Sequence, residues 1–322
     1  MDSIHVKGGV ALRGKVRIQG SKNAALPILA ASLLTKETTC ITNCPKIADV
    51  HRMISLLRSL GAKVRWGENG IRVNAFHFCQ REMPTEAVRG MRSSLCLLGA
   101  LIGRCGEVKM EYSGGCRIGE RPIDIHLDAL QKMGVCFREE QGMLYARAKQ
   151  LHGAVIRFAF PSVGATENVL LAAVMAEGDT TIYGAAKEPE VVALCEYLER
   201  CGAWIEGVGT GNLCVKGGRT LYGADYRIPS DRIVAGTYLF GAIATGGCVW
   251  LENAPVHQME AVLEVASGMG TQYEVTSRGL MCKPKGDRMR CPLSQQLLIP
   301  VFRRICSLWH WWLIPGRREV VS

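Results

Sequence analysis

Short stretches of this sequence combine residue types that could do chemistry. The first, Gly20-Ser21-Lys22-Asn23-Ala24-Ala25-Leu26-Pro27, follows the extended run Val16-Arg17-Ile18 and opens an apolar segment. A strand that turns through Gly-Ser into a helix leaves unpaired N–H groups at the helix start. An anion is favoured there, and Lys22 adds a point charge. The plainer alternative is a capped helix with a solvated Lys; the stretch is not a Walker loop, because the Gly-rich phosphate cradle is missing. The second, Ser113-Gly114-Gly115-Cys116-Arg117-Ile118-Gly119-Glu120-Arg121-Pro122-Ile123-Asp124, sets Cys116 among glycines with Arg117 beside it and Arg121 near. The glycines predict a loop. Neighbouring cations lower a thiol pKa and favour a reactive thiolate, while a thiol still protonated can donate. A cysteine in a surface turn is the plainer reading. The third stretch, Pro161-Ser162-Val163-Gly164-Ala165-Thr166-Glu167-Asn168, is a strand end feeding a helix with cap chemistry. Ser230-Asp231-Arg232 is the same junction further along, and Arg92 heads another apolar segment.

The elements that must position these residues recur. Gly61, Gly134, Gly202 and Gly270 each follow a helix-like run and precede a strand-like one, at a spacing of roughly seventy residues. Each sits where a helix C-terminus needs a left-handed residue. Each unit opens with a small apolar helix: Asn23 to Leu34, Arg92 to Ile102, Ala165 to Ala176, Ile233 to Thr245. A Gly turn and a β-branched strand follow, as in Gly178-Asp179-Thr180-Thr181-Ile182-Tyr183. Then come an amphipathic helix such as Val191 to Arg200 and two short strands, Ala203 to Glu206 and Asn212 to Val215. Helix, strand, helix, strand, strand is an α/β repeat with mixed sheets, not a plain Rossmann array. Gly207-Val208-Gly209-Thr210-Gly211 lies between two strands rather than before a helix, so it reads as a turn and not a dinucleotide fingerprint. Lys22, Arg92, Ser162 and Arg232 stand at the same place in successive units. Helices related by pseudo-symmetry would aim those ends together, a design suited to an anionic substrate.

Residues 20–228 thus hold three units, expected to close into one domain. Residues 1–19 and 229–284 are expected to form part of a second domain around the fourth unit, and 285–322 form a tail in which the periodicity is lost.

The totals narrow the classes. The chain has 322 residues, 48% of them hydrophobic and 21% charged, as in globular cores. No apolar run reaches the length of a membrane span, and Met1 to Gly9 lacks a signal-peptide core, so a cytoplasmic protein is expected. The 14 cysteines show no C-x-x-C pair and no metal spacing, and most read as small buried hydrophobes. A net charge of +10 without basic runs interleaved with aromatics favours a phosphate-bearing small substrate over nucleic acid.

The Gly20 to Ala24 turn, Gly114-Gly115-Cys116 with Arg121-Pro122-Ile123-Asp124, Ser162 to Asn168 and Asp231-Arg232 together resemble the bacterial UDP-N-acetylglucosamine enolpyruvyl transferases. The similarity spans about residues 4 to 284. It implies two inside-out α/β barrels of three repeats each, the second incomplete here. It also implies transfer of the enolpyruvyl group of phosphoenolpyruvate to the 3-hydroxyl of UDP-N-acetylglucosamine, with release of phosphate, as the first committed step of peptidoglycan synthesis. By this resemblance Cys116 is the proton donor, the residue that can form a covalent adduct with phosphoenolpyruvate and that the epoxide fosfomycin alkylates. Lys22, Asn23 and Arg121 face phosphoenolpyruvate, Asn23 also the sugar. Arg92, Arg121, Pro122, Ile123, Asp124, Ile125, Ser162, Val163 and Gly164 face the nucleotide sugar, and Asp231 and Arg232 support the site. No metal or organic cofactor is implied, and neither nucleic acid nor membrane is an expected partner. The sister enolpyruvylshikimate phosphate synthases are disfavoured by the Gly-Gly-Cys loop. An RNA-processing relative would need a catalytic His, and none of the 7 His residues lies in a site-like motif.

The tail departs from the family. A Tyr-Pro-Gly-Phe-Pro-Thr-Asp motif, whose Asp acts as base toward the sugar hydroxyl, and two late arginines are not found. Leu298 to Leu308 can, however, be encoded so that the frame one base upstream reads Tyr-Pro-Gly-Phe-Pro-Thr-Asp-Leu-Gln-Ser. A frameshift between about Lys283 and Gln295 is therefore expected, with turnover impaired; a nucleotide-sugar-binding remnant without catalysis is the alternative.

Overall fold

A computed structural model of the chain describes residues 5, 8–68, 70–78, 82–83, 92–111 and 123–283. The strand β1 (Arg13–Arg17) comes first, followed by four copies of one repeat. The first copy is α1 (Lys22–Ala31), β2 (Thr38–Thr42), α2 (Ala48–Ser59), β3 (Lys63–Gly67) and β4 (Gly70–Asn74). The second is α3 (Leu97–Cys105), β5 (Glu107–Glu111), α4 (Asp124–Lys132), β6 (Val135–Glu140) and β7 (Met143–Ala148). After β8 (Val155–Arg157), the third is α5 (Val163–Ala173), β9 (Asp179–Tyr183), α6 (Pro189–Arg200), β10 (Trp204–Glu206) and β11 (Asn212–Lys216). After β12 (Asp225–Arg227), the fourth is α7 (Arg232–Thr245), β13 (Cys248–Glu252), α8 (Glu260–Gly268), β14 (Gln272–Thr276) and β15 (Gly279–Lys283).

Each copy contributes one small sheet with the same plan: β3-β4-β2-β12, β6-β7-β5, β10-β11-β9-β8 and β14-β15-β13-β1. An antiparallel hairpin pairs with the strand before it. The far edge is filled by a parallel strand from a segment that leads into a repeat, β8 on β9, β12 on β2 and β1 on β13. In the three-stranded sheet a single parallel bridge, Glu82 to Lys109, takes that place.

The chain divides into two compact units. The larger is Gly20–Pro229; the smaller draws on Met1–Gln19 and Ser230–Ser322. In the larger unit β12 pairs with β2 through Asp225↔Cys40, Tyr226↔Ile41 and Arg227↔Thr42, which ties the end of the third repeat to the first. In the smaller unit β1 pairs with β13 from Arg13↔Cys248 to Arg17↔Glu252.

The sheets are half-buried. β2, β4 and β11 alternate buried and more open residues, the period-two signature of a sheet with one solvated face. The first helices are buried on all sides: α1 from Ala24 through Ala31, α5 from Ala165 through Ala173, α3 from Leu97 through Ile102. A helix without a polar face belongs inside. The larger unit therefore carries the first helix of each repeat within and its sheets outside, the reverse of an ordinary α/β barrel. Small residues permit the packing. A Cβ on Gly99 of α3 would lie 2.1 Å from the Asn168 carbonyl oxygen of α5, so only glycine lets these backbones touch.

The second helices end as their glycines require. Gly61, Gly134, Gly202 and Gly270 have φ of +97°, +91°, +102° and +74°. Beyond three of them the chain closes the helix end, with Ala62 N–H to Leu57 O, Ala203 N–H to Leu198 O and Thr271 N–H to Ala266 O, each at 3.0 Å. Two details differ from the sequence pattern. The segment from Arg92 opens as a 3₁₀ turn, Arg92–Cys96, before α3 begins. α1 and α5 also stop three residues early, because Leu34 N–H turns to Ala31 O and Ala176 N–H to Ala173 O, tightening the last turn. Between β10 and β11, Gly207 and Gly209 take φ of +80° and +79° in a hairpin turn.

Candidate active site at the helix N-termini

In the larger unit the first helices run side by side with their starts level. Cys96 Sγ lies 4.0 Å from Leu26 O, near the same depth in both segments. Gly99 meets Asn168, and Gly103 meets Leu171 and Met175, so α3 and α5 run parallel. The starts of α1, α5 and the turn at Arg92 therefore lie at one end of the buried helix layer. Serines cap two of them: Ser21 Oγ accepts from Ala24 N–H at 3.4 Å and Ser162 Oγ from Ala165 N–H at 3.5 Å. These are long contacts that leave neighbouring N–H groups available for an anion.

Lys22 and Asn23 stand half-buried in the first turn of α1, and Lys22 Nζ pairs with Asp49 Oδ2 of α2 at 3.2 Å. An incoming phosphate would compete with that carboxylate. Ser162, Val163 and Gly164 form the head of α5, also half-buried. Ile123 precedes α4, Asp124 is exposed in its first turn and Ile125 is half-buried. Arg92 begins the 3₁₀ turn that leads into α3. Cys116, Arg121 and Pro122 lie outside the described residues, as does the tail from 284 onward. In the smaller unit Asp231 is the strongest cap of all: its Oδ1 accepts from Ile233 N–H at 2.8 Å and Val234 N–H at 3.1 Å, with Arg232 next to it. The structure thus brings Lys22, Asn23, Arg92 and Ser162 to Gly164 to one end of one helix layer, with Ile123 to Ile125 on the helix that packs against α5.

Beneath this end lies a polar layer built on the Ser162 to Asn168 motif, whose partners the motif alone does not give. Asn168, fully buried, accepts the Gly99 N–H on Oδ1 at 2.7 Å. Its Nδ2 donates to Gly164 O at 3.3 Å and to His126 Nδ1 at 3.0 Å. Thr166 Oγ1 donates to Ser162 O at 2.8 Å and accepts from Ala186 N–H at 3.1 Å. Glu167 is buried beside Glu190 and Glu188, and its carboxyl is pushed well above its ordinary range by burial first and by those two carboxylates second. The signal was present in the sequence: Thr166-Glu167-Asn168 is a polar run inside a helix otherwise apolar on every side.

Of the described cysteines, Cys96, Cys195, Cys201 and Cys282 are buried, whereas Cys136 is exposed. Burial pushes the thiols of Cys44 and Cys195 up to about 12, and those of Cys201 and Cys282 to about 11. Such thiols stay protonated and inert near neutral pH. Among the described residues no group of His, Cys, Asp and Glu is placed to hold a metal ion, and no helix is long and apolar enough to cross a membrane.

Comparisons with known proteins agree with this architecture. The pattern of the family described as EPSP synthase (3-phosphoshikimate 1-carboxyvinyltransferase) matches residues 6–290. A UDP-N-acetylglucosamine 1-carboxyvinyltransferase of Nitratidesulfovibrio vulgaris is 44% identical over 290 residues, 90% of this chain and 69% of that protein. One from Methylacidiphilum infernorum is 42% identical over 289 residues, 89% of this chain and 68% of its own length. Among solved structures, the enolpyruvyl transferase NikO from Streptomyces tendae superposes with a TM-score of 0.76 at 23% identity, covering 88% of this chain and 68% of that one. EPSP synthase from Acinetobacter baumannii gives 0.65 at 21% identity, with the same coverage. The fold is that of the enolpyruvyl transferases, and the chain belongs to the EPSP synthase family, among the UDP-N-acetylglucosamine 1-carboxyvinyltransferases.

Proposed function

We propose that this chain binds UDP-N-acetylglucosamine and phosphoenolpyruvate and carries out, at a reduced rate, enolpyruvyl transfer between them. The observation that carries the reading is the set of level helix starts in the larger unit, with Lys22, Asn23 and Ser162 to Gly164 at one end. Such an end suits a phosphorylated, carboxylated substrate beside a nucleotide sugar. In the reaction the 3-hydroxyl oxygen bonds to C2 of phosphoenolpyruvate and loses its proton, while C3 takes one up. The tetrahedral adduct then expels inorganic phosphate and returns a proton from C3, leaving the enolpyruvyl ether. Lys22 and Arg121 neutralise the phosphate and carboxylate, Asn23 faces the reacting sugar, and Cys116 delivers the proton to C3. Arg92, Arg121 to Ile125 and Ser162 to Gly164 hold the nucleotide sugar, with Asp231 and Arg232 in support. A cytosolic place in peptidoglycan synthesis follows from these substrates.

Reduced turnover is part of the proposal. The family match stops at residue 290, where the repeat pattern of the sequence is lost. The Asp that would accept the hydroxyl proton belongs to the motif that Leu298 to Leu308 encode only in another frame. The same observation favours a second reading, a chain that holds nucleotide sugar without turning it over.

Phosphate release from phosphoenolpyruvate by the purified chain, with and without UDP-N-acetylglucosamine, tests the proposal against a Cys116→Ala control. Slow release that needs the sugar and disappears in the control is expected. No release, with sugar binding retained, leaves the second reading standing; release independent of the sugar overturns both. A genomic read that encodes residues 285–322 as they stand, in one uninterrupted frame, would remove the frameshift account.

A further inference from the structure

We infer that Asn168 is a positioning residue for the nucleotide sugar, locking together with one side-chain amide the three segments that carry Arg92, Asp124 with Ile125, and Ser162 to Gly164. The inference rests on the binding reading above. Its grounds are the partners of that amide, which come from three different elements: Gly99 of α3, His126 of α4 and Gly164 of α5.

The chemistry of those partners fixes the amide's orientation. The Gly99 N–H can only donate, so Oδ1 must face it. The Gly164 carbonyl can only accept, so Nδ2 must face that. His126 Nδ1, lying 3.0 Å from the same Nδ2, is then an acceptor, and a neutral imidazole there carries its proton on Nε2. Gly99 is the third residue of α3, where an N–H has no partner within the helix; Asn168 supplies one from a neighbouring helix. The packing leaves no slack. A Cβ on Gly164 would come within 3.0 Å of His126 Cε1, and one on Gly99 within 2.1 Å of Asn168 O. An apolar residue would fill position 168 without burying an amide, so the amide's distinct contribution is register. The heads of α4 and α5 and the start of α3 cannot shift independently while it is in place.

The test is calorimetric titration of UDP-N-acetylglucosamine into the full chain, alongside thermal unfolding. Removing the amide in Asn168→Ala is expected to weaken binding by about tenfold or more, since the Gly99 N–H loses its acceptor and His126 Nδ1 its donor at once. His126→Leu should weaken it by several-fold, whereas His126→Asn, whose Oδ1 can take the place of Nδ1, should stay within about threefold of the original. Leu171→Ala, a buried change on α5 that touches none of these bonds, serves as the measure of a purely structural loss. It should lower thermal stability while leaving affinity intact. The inference is overturned if Asn168→Ala binds as the original chain does, or loses no more affinity than Leu171→Ala. Should Asn168→Ala fail to fold, equal affinities for His126→Leu and His126→Asn overturn it. An original chain that takes up no nucleotide sugar defeats the underlying reading, and this one with it; sugar binding unchanged across the variants defeats this one alone.

Discussion

α5 and α7 occupy the same place in their repeats and are alike in composition, small and apolar with a capping residue at the start, yet they meet different surroundings. Every residue of α5 from Ala165 to Ala173 is buried. In α7, Thr237, Tyr238 and Ala244 are exposed and Ile233, Val234 and Ile243 are half-buried. The difference lies in the neighbours. α5 packs against α3 and α4 of the preceding repeat and against α6 of its own. Among the described residues of the smaller unit there is one repeat, and α7 packs against β13 and α8 of that same repeat. A repeat of this kind cannot cover its own first helix; stacking with the next one does.

The sharpest way to break this comparison is to remove matching bulk from each helix. Leu171→Ala should cost about 2–5 kcal/mol in urea unfolding, because a buried side chain leaves a cavity. Tyr238→Ala, 40% exposed in α7, should change stability by no more than about 0.5 kcal/mol. Equal costs would mean that α7 is as covered as α5.

Glycine gives a second, smaller contrast. Gly99→Ala would press a methyl to 2.1 Å from the Asn168 carbonyl oxygen and push α3 from α5, a strain of about 1–3 kcal/mol. Gly246, at the end of α7 with φ +62°, faces open space, so Gly246→Ala should cost only the left-handed backbone, about 1 kcal/mol. Denaturation midpoints of the two variants read the difference directly; a costlier Gly246→Ala would reverse the comparison.

The gentlest probe is pH. Glu167 has no counterpart in α7, where Gly236 stands at the same step after the cap. Its carboxyl titrates above the ordinary 4.5 in the folded chain, because of burial and then Glu190 and Glu188. The folded state therefore keeps a proton that the unfolded chain releases. Its contribution is whole below the unfolded value and fades as pH rises above it toward the folded one. Thermal midpoints of the original chain should fall from about pH 5 upward relative to Glu167→Gln, which has no proton to lose. Parallel pH profiles for the two proteins would show that Glu167 is already solvated.

The repeat was legible because each of its parts has a local cause. Gly61, Gly134, Gly202 and Gly270 mark helix ends through a backbone angle that other residues resist, and the apolar runs between them announce helices and strands by period. The heads of the first helices were legible for the same reason, since Ser21, Ser162 and Asp231 cap within a few residues of themselves. The polar layer was legible in its residues, the run Thr166-Glu167-Asn168, but not in its partners. His126 pairs with Asn168 across 42 positions of sequence, and Gly99 with the same residue across 69; neither distance leaves a trace in composition or spacing. The opening 3₁₀ turn at Arg92 was also missed, because an apolar pattern marks a helix without saying how tightly its first turn is wound.

From residue order alone came the helix–strand–helix–strand–strand unit, its four copies, its caps and the chemistry gathered at the helix heads, all consequences of interactions a few residues apart. Which faces became interior, which edge β12 and β1 would fill, and which buried acid, amide and imidazole would meet beneath the site depended on the packing of distant repeats. Burial and long-range hydrogen bonds are properties of neighbours in space, and a chain acquires those neighbours only on folding.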